Sequence, residues 1–238
     1  FGAEYGEIVL CNDTSNYWRK DYFPYYKANR KKAQENSLFD WNLIFQSLNK
    51  IKDEIRENFP YKFLAVPRCE ADDVIAVLTR TYHSTQKILI VSGDRDFVQL
   101  FKYPNVYQYA PVQKKFITEE YPDQFLEEKI IYGDSGDGVP NIASDDDTFV
   151  ENKRQKPMSK KNIDMWLDMS PEQFCRDEKT MQQYNRNKQL IDFSYIPDEV
   201  EQSIIDSYES IIPQKRGKLY EYFAIHGLDE MLDKIGEF

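Results

Sequence analysis

The sequence contains 238 residues, of which 41% are hydrophobic and 15% aromatic, and its formal net charge at pH 7 is -10. This length allows one substantial hydrophobic core and a second, smaller lobe. The mean hydropathy of -0.71 and the lack of an apolar run of about 18 residues argue against a membrane protein. The three cysteines are widely spaced and match no paired metal-ligand pattern, which is typical of a reducing compartment such as the cytoplasm.

Short apolar runs in the first half of the chain predict β-strands. Residues 8–10 lead to Asp13, and residues 87–91 lead to Asp94, so each run carries an acid just beyond its carboxyl end. Open α/β sheets place their functional sites at this end of buried parallel strands. A third strand is expected at residues 61–66, and weaker edge strands at residues 106–110 and 115–118.

Helical patterns alternate with these runs. Ser37 is the expected N-cap of a helix whose apolar residues recur every three or four positions and which Pro60 ends. A second helix should begin near Glu70. Strand, helix and strand in this order predict right-handed crossovers and a mostly parallel central sheet flanked by helices. We therefore assign an α/β core to residues 1–118.

The second half of the chain, residues 119–238, predicts a helical lobe. Its apolar periodicity is interrupted by polar turns, and Ser170 begins a capping-box pattern with Pro at the first helical position. A loop with three consecutive aspartates, Asp145 to Asp147, separates the first helix of the lobe from the rest. The helices are expected at residues 123–132, 159–166, 179–191, 198–208 and 217–226.

Eight carboxylates occur in four short clusters at strand ends and helix starts. Hard cations such as Mg²⁺ prefer oxygen ligands, and two ions about 3.5–4 Å apart can hold the attacking and leaving oxygens of a phosphodiester. The pattern therefore indicates a metal-dependent phosphoryl-transfer enzyme, although each cluster alone also has a structural interpretation. The eight are Asp13, Glu70, Asp72, Asp73, Asp94, Asp96, Asp134 and Asp137.

The structural interpretations are specific. The acids from Glu70 to Asp73 would complement a helix dipole, and Asp96 would cap a helix that carries Phe97 and Val98. The glycine-rich turn with Asp134 and Asp137 would be a helix C-cap followed by an acidic surface turn. The order of all four clusters along one chain favours the metal site.

Residues 17–32 interleave basic and aromatic side chains. Basic groups can bind phosphates while aromatic faces stack on unpaired bases, at about 1–3 kcal/mol per base. The alternative is a solvated basic face above an aromatic part of the core. The segment includes Lys31 and Lys32, and the nucleic-acid contacts expected from this segment and from the second lobe are Tyr17, Trp18, Arg19, Lys20, Lys27, Arg30, Lys153, Arg154 and Lys160.

Five motifs in this order resemble the 5′-nuclease (flap endonuclease) superfamily, and especially its T-even-type phage subgroup. They are ND, YWRKDYFPYYKANR, CEADDVIA, VSGDRDF and YGDSGDGVPN. The resemblance implies a helical arch at about residues 16–36 and a helix-three-turn-helix-like region in the second lobe. It assigns Asp13, Glu70, Asp72 and Asp94 to a tighter metal site. A second site would use Asp73, Asp96, Asp134 and Asp137.

The resemblance also implies an activity. It is 5′-to-3′ exonuclease and flap endonuclease activity with RNase H activity, dependent on two Mg²⁺ ions, with Mn²⁺ as a substitute. Asp13, Arg19, Lys27 and Asp94 would be catalytic, with the two basic residues holding the scissile phosphate. Substrates would be DNA and RNA–DNA duplexes with 5′ ends, flaps or nicks during lagging-strand primer removal, and partners a single-stranded-DNA-binding protein and a sliding clamp. We expect a monomer in the host cytoplasm, without membrane association.

Two features differ from the family pattern. No strand bearing a further ligand Asp precedes Phe1, so we expect missing N-terminal sequence and weak or absent activity without it. The usual Gly-Ile-Gly turn is replaced after Ile142 by the aspartate loop and basic residues, which argues against the usual monovalent-ion site. The alternatives are a PIN-type ribonuclease and an inactive nucleic-acid-binding fragment.

Overall fold

The computed structural model describes residues 1–238, apart from the side chains of residues 3 and 31–33. It confirms the α/β fold class, with all five predicted strands in the first half of the chain and a helical second half. None of the described helices is both long enough and apolar enough to cross a membrane. The strands are β1 (Val9–Cys11), β2 (Lys62–Leu64), β3 (Ile88–Val91), β4 (Val106–Ala110) and β5 (Lys115–Ile117).

The strands form two small sheets. β1 and β2 pair in parallel, with Leu10 opposite Phe63. β3 and β4 also pair in parallel, with Leu89 opposite Tyr107, and β5 adds to β4 in antiparallel orientation as an edge strand. Two of the three pairings are therefore parallel, as expected, but β1–β2 and β3–β4–β5 are not hydrogen-bonded to each other.

Twelve α-helices are assigned among the described residues, and a 3₁₀ helix, Arg95–Lys102, follows β3. The helices are α1 (Gly2–Tyr5), α2 (Trp18–Tyr22), α3 (Ala28–Glu35), α4 (Trp41–Asn58), α5 (Ala71–Tyr82), α6 (Pro122–Tyr132), α7 (Lys160–Trp166), α8 (Pro171–Phe174), α9 (Glu178–Ile191), α10 (Asp198–Ser210), α11 (Arg216–Ile225) and α12 (Asp229–Leu232). α5 contacts both sheets and so bridges them.

Each of the two hydrophobic cores contains residues from both halves of the chain. The first contains Val74 and Val77 of α5, and Val200 and Ile204 of α10 pack into it from the far end of the sequence. The second core lies in the helical second half, and Phe23, which follows α2, packs into it. Each half of the chain therefore packs into the core of the other. This packing places side chains from both halves around one site.

Two local expectations are corrected by side-chain hydrogen bonds. The N-cap of α4 is Asp40, whose carboxylate accepts from the Leu43 N–H at 3.1 Å, whereas Ser37 lies outside the helix. Asp94 rather than Asp96 caps the helix after β3, because its Oδ1 accepts from the Asp96 N–H at 2.9 Å. The Asp96 carboxylate is thereby left to face other groups.

The aspartate loop is tied to α9 by ion pairs. Asp145 accepts from Lys179 Nζ at 2.5 Å, and Asp146 pairs with Arg186. Ser144, at the start of the loop, is buried and accepts a backbone hydrogen bond from Lys156 at 2.8 Å. The loop is therefore packed on the helical lobe rather than detached from it.

Candidate active site

A small cavity between the two lobes gathers most of the predicted acids. Its volume is about 20 Å³, room for about one water molecule or cation. α5 and its N-cap, the 3₁₀ helix and the turn after α6 each supply carboxylates to its wall. The acids that line the cavity are Glu70, Asp72, Asp96, Asp134 and Asp137.

A capping box fixes the acids at the start of α5. The Asp73 carboxylate accepts from the Glu70 N–H at 3.0 Å, and the Glu70 side chain caps the Asp73 N–H. Asp13 adds a further contact, because its Oδ1 accepts from the Ala71 N–H at 2.7 Å. The first turn of α5 therefore also holds the acid after β1 in place.

A tight turn presents Asp134 and Asp137. Gly133 ends α6 with a φ of 70°, and a Cβ at this position would overlap the backbone of Val139 and Pro140. Reciprocal backbone hydrogen bonds of 2.8 and 2.7 Å between Asp134 and Val139 then close the turn. Glycine is required here because a side chain would strain the backbone and displace the turn.

Glu70 is buried and has three side-chain partners. Arg19 Nη1 and the Tyr26 hydroxyl each lie 2.8 Å from its Oε2, and Lys27 Nζ pairs with Oε1. The Tyr26 hydroxyl also lies 2.8 Å from Asp137 Oδ2. The Tyr26 oxygen therefore lies within hydrogen-bond distance of an acid from each lobe, and its single proton can be donated to one of them at a time.

Arg19 is placed differently from the prediction. Its side chain is 3% exposed and pairs with Glu70 and Asp73 at 2.8 Å each, and its Nε donates to the Leu190 carbonyl at 2.8 Å. Burial alone would lower the pKa of Arg19, but Asp73, Tyr26 and Glu70 hold it well above its ordinary value. Arg19 therefore lines the cavity, but its guanidinium donors are already paired with Glu70, Asp73 and the Leu190 carbonyl.

Trp18 and Asp73 are also interior residues. Trp18 is 4% exposed, so its ring does not face a base, and its Nε1 donates to Asp73 at 3.2 Å. Asp73 is fully buried between this indole and Arg19 and does not line the cavity. We therefore assign Trp18 and Asp73 structural roles instead of the predicted nucleic-acid and metal contacts.

Asp72 has the most strongly shifted pKa among the acids that line the cavity. Burial, together with the charges of Asp94 and Glu70, raises the pKa of Asp72 to about 7 against the opposing effect of Lys27. Asp94 is therefore close enough to act on Asp72, although it does not line the cavity itself. Without a cation, the carboxylates of this cluster repel one another.

Lys129 of α6 offsets the negative charge of Asp96 and Asp134. Its ammonium pairs with Asp96 and lies 3.0 Å from Asp134. Burial would raise the pKa of Asp134, but Lys129 and backbone N–H groups of the turn hold it below its ordinary value. The prediction missed Lys129, whose position in the last turn of a helix indicates a dipole contact rather than a site residue.

The remaining basic residues differ in exposure. Lys27 is largely buried, with 10% of its side chain exposed. Arg30 is half exposed and pairs with Asp137 at 2.6 Å. The exposed basic residues include Lys20, Lys153, Arg154 and Lys160, and Lys20 lies 5.2 Å from the ring centre of partly buried Tyr17. The side chains of Lys31 and Lys32 lie outside the described part of the structure.

The donor set suits hard divalent cations, because the acids that line the cavity offer carboxylate oxygens of high negative charge. The shell is not preformed, since no three acids among the described side chains converge on one point. Ammonium groups of Lys27 and Lys129 neutralise part of the charge instead.

The family models and the relatives that match this chain are those of nucleases. Residues 3–130 match the family model of the 5′-3′ exonuclease N-terminal resolvase-like domain, and residues 122–238 match that of the T4 RNase H C-terminal domain. The chain is 39% identical to ribonuclease H of Enterobacteria phage T4 over 98% of this chain and 80% of that protein. It is 33% identical to a 5′-3′ exonuclease of Mycoplasmopsis pulmonis over 57% of this chain and 46% of that protein.

Solved structures share the fold at low sequence identity. A bacteriophage T5 flap endonuclease, solved with DNA and metal ions, has a TM-score of 0.60 and 16% identity over 86% of this chain and 85% of its own. The T5 5′-exonuclease with zinc bound has a TM-score of 0.59 and 16% identity over 85% of this chain and 82% of its own.

Proposed function

The chain belongs to the 5′-3′ exonuclease family that includes ribonuclease H of phage T4, and we propose that it is a Mg²⁺-dependent enzyme that hydrolyses phosphodiester bonds near 5′ ends. The observation that carries this proposal is that five carboxylates line one small cavity between the lobes. Three separate parts of the chain supply them, so a single local helix cap does not explain the arrangement.

The metal ligands are proposed from position and chemistry. When bound, Mg²⁺ or its substitute Mn²⁺ supplies Lewis-acid polarisation of the attacking water and of the phosphodiester. Asp13 and Asp94 are peripheral to the cavity and complete the tighter set. The proposed ligands are Asp13, Glu70, Asp72 and Asp94 for one ion, and Asp96, Asp134 and Asp137 for the second.

Lys27 is the proposed phosphate-binding residue. Its ammonium is tied to Glu70 and lies 3.6 Å from Asp137, and unlike Arg19 it retains some exposure. A lysine at this place binds a non-bridging phosphate oxygen as a point charge. Arg19 acts as a positioning residue, since it holds the Glu70 carboxylate and the capping box in place.

Substrate binding is proposed for the exposed basic residues of both lobes. Contacts to phosphates fix the register of a duplex and do not depend on sequence. Lys20 and Arg30 lie on the arch segment beside the cavity, and Tyr17 is near enough to stack on a base. Lys153, Arg154 and Lys160 would contact the duplex from the second lobe. The substrates would be DNA and RNA–DNA duplexes with 5′ ends, flaps or nicks.

The biological role is inferred from the proposed substrates. We assign the enzyme to removal of RNA primers and adjacent DNA on the lagging strand, as a monomer in the host cytoplasm. A single-stranded-DNA-binding protein and a sliding clamp are the proposed replisome partners.

A cleavage assay with the 238-residue chain tests the proposal. The substrates are a 5′-labelled flap duplex, a nicked RNA–DNA duplex and single-stranded RNA, each with Mg²⁺ and with EDTA. We expect cleavage of both duplexes with Mg²⁺ and none with EDTA. Preference for single-stranded RNA would favour a PIN-type ribonuclease. No cleavage of any substrate would favour an inactive nucleic-acid-binding protein.

A further inference from the structure

A groove at the outer edge of β2 lies away from the acidic cavity. We call it the β2 groove. It encloses about 400 Å³, within the range of about 300–1,000 Å³ that is common for ligand sites. One wall is formed by Tyr61, Phe63 and Ala65, and the other by residues 210–214 after α10.

The backbone of β2 offers hydrogen-bonding groups to this groove. The Lys62 N–H donates to the Ile8 carbonyl at 3.2 Å, and the Leu64 carbonyl accepts from the Asn12 N–H at 2.9 Å. Because alternate residues of a parallel strand bond to opposite sides, the peptide groups of Phe63 point away from β1, and Phe63 is one of the residues that line the groove. No further strand pairs with this edge within the described part of the chain.

The opposite wall is also extended. α10 ends at Ser210, and Ile211 has φ -75° and ψ 122°, which lie in the extended region. Ile212 is 87% exposed, although it adjoins Ile211, which packs against the first core. The groove thus has an unpaired strand edge on one side and exposed apolar surface on the other.

Cations border the groove in a chain with a net charge of -10. The Arg56 guanidinium lies 4.8 Å from the ring centre of Phe63; half of its side chain is exposed, and it forms a surface ion pair of 2.8 Å with Asp53, which does not line the groove. Burial raises the pKa of Tyr61, and the charge of Arg216 opposes that effect, so Arg216 is also close to the groove. The local charge therefore favours an acidic ligand.

We propose that the β2 groove binds an extended acidic peptide segment of a partner protein, which adds to β2 as a further strand and directs a carboxylate to Arg56. Strand addition uses main-chain hydrogen bonds for affinity and alternate side chains for specificity. A second copy of this chain is disfavoured, because pairing two β2 edges would bring the same arginines together.

The test uses a fluorescently labelled hexapeptide of alternating Val and Glu, with the 238-residue chain. We expect binding by fluorescence polarisation, weakened about tenfold by N-methylation of alternate peptide N–H groups and about fivefold by Arg56→Gln. Arg68→Gln is the matched control, because Arg68 is also half exposed and paired with one aspartate. It should leave binding unchanged, and neither substitution should alter nuclease activity.

Hydrogen exchange gives a second measurement. The Phe63 amide should exchange more slowly when the peptide is bound. The proposal is overturned if the peptide does not bind, if N-methylation or Arg56→Gln leaves affinity unchanged, or if the Val-Lys analogue binds as tightly. Dimerisation through β2 with no peptide binding would overturn it as well.

Discussion

Replacement of Asp72 by Asn should stabilise the protein in a strongly pH-dependent way. The pKa of Asp72 is raised from 3.8 to about 7 by burial and by Asp94 and Glu70. The protonated carboxyl is therefore favoured in the folded chain, and its contribution to stability is fully present below pH 3.8 and is lost as the pH rises through 7. Asparagine stays neutral over this range and avoids the loss.

The size of the effect follows from these two pKa values. Ionising Asp72 in the folded protein costs up to about 4 kcal/mol at pH 8, and about 2 kcal/mol if solvent screens the partly exposed carboxylate. At pH 4 the same difference falls to about 0.5 kcal/mol. Asp72→Asn should thus raise the free energy of unfolding by about 2–4 kcal/mol at pH 8 and hardly at pH 4.

Urea unfolding in EDTA at the two pH values measures this difference. Asp164→Asn serves as the control, because Asp164 is exposed on α7 and should show no pH-dependent gain. Equal changes for Asp72→Asn at pH 4 and pH 8 would refute the reasoning, since the carboxylate would then carry no unfavourable charge in the folded state.

Three further predictions concern the supports of the site. Arg19→Met should lower the free energy of unfolding by about 3–5 kcal/mol, because it strands two buried carboxylates, and urea unfolding that shows under 1 kcal/mol would contradict this. Gly133→Ala should cost about 1–3 kcal/mol because φ is 70°; thermal melts should show no such loss for Gly217→Ala, which has open space. Lys129→Met should destabilise the protein by about 1–2 kcal/mol at pH 7. Because the pKa of Asp134 is lowered, that difference should shrink as the pH falls below 3.8, and a pH-independent loss would argue against the pairing.

The sequence indicated the elements well because their signals are local. The strand β4 and the capping box at Ser170 lie where the pattern places them, and the turn at Gly133 follows from one residue. Caps were harder, since Ser37 and Asp40 are both good candidates and tertiary packing decides between them.

Five of the eight acids proposed from the sequence line the cavity, whereas the positions of the cations differ more from the pattern. A structural role such as a helix cap explains one acidic cluster but not four clusters in this order. The order of the clusters was therefore informative. Arg19 and Trp18 lie in a basic and aromatic segment that is typical of nucleic-acid binding, yet both are buried against Asp73. Burial of a residue in such a segment depends on long-range packing, which a local pattern does not show.

Tyr26 illustrates the same limit. Its neighbours in the sequence suggest base stacking, whereas its hydroxyl joins Glu70 and Asp137, which are 44 and 111 residues away along the chain. Neither distance leaves a signal in a single sequence.

The central claim is that the carboxylates around the cavity bind divalent cations. Titration of the 238-residue chain with Mn²⁺, followed by electron paramagnetic resonance, measures this directly. We predict two bound ions for the wild type, weaker binding of one for Asp72→Asn and of the other for Asp134→Asn, and no change for Asp164→Asn. Unchanged Mn²⁺ binding in both cavity variants would contradict the account.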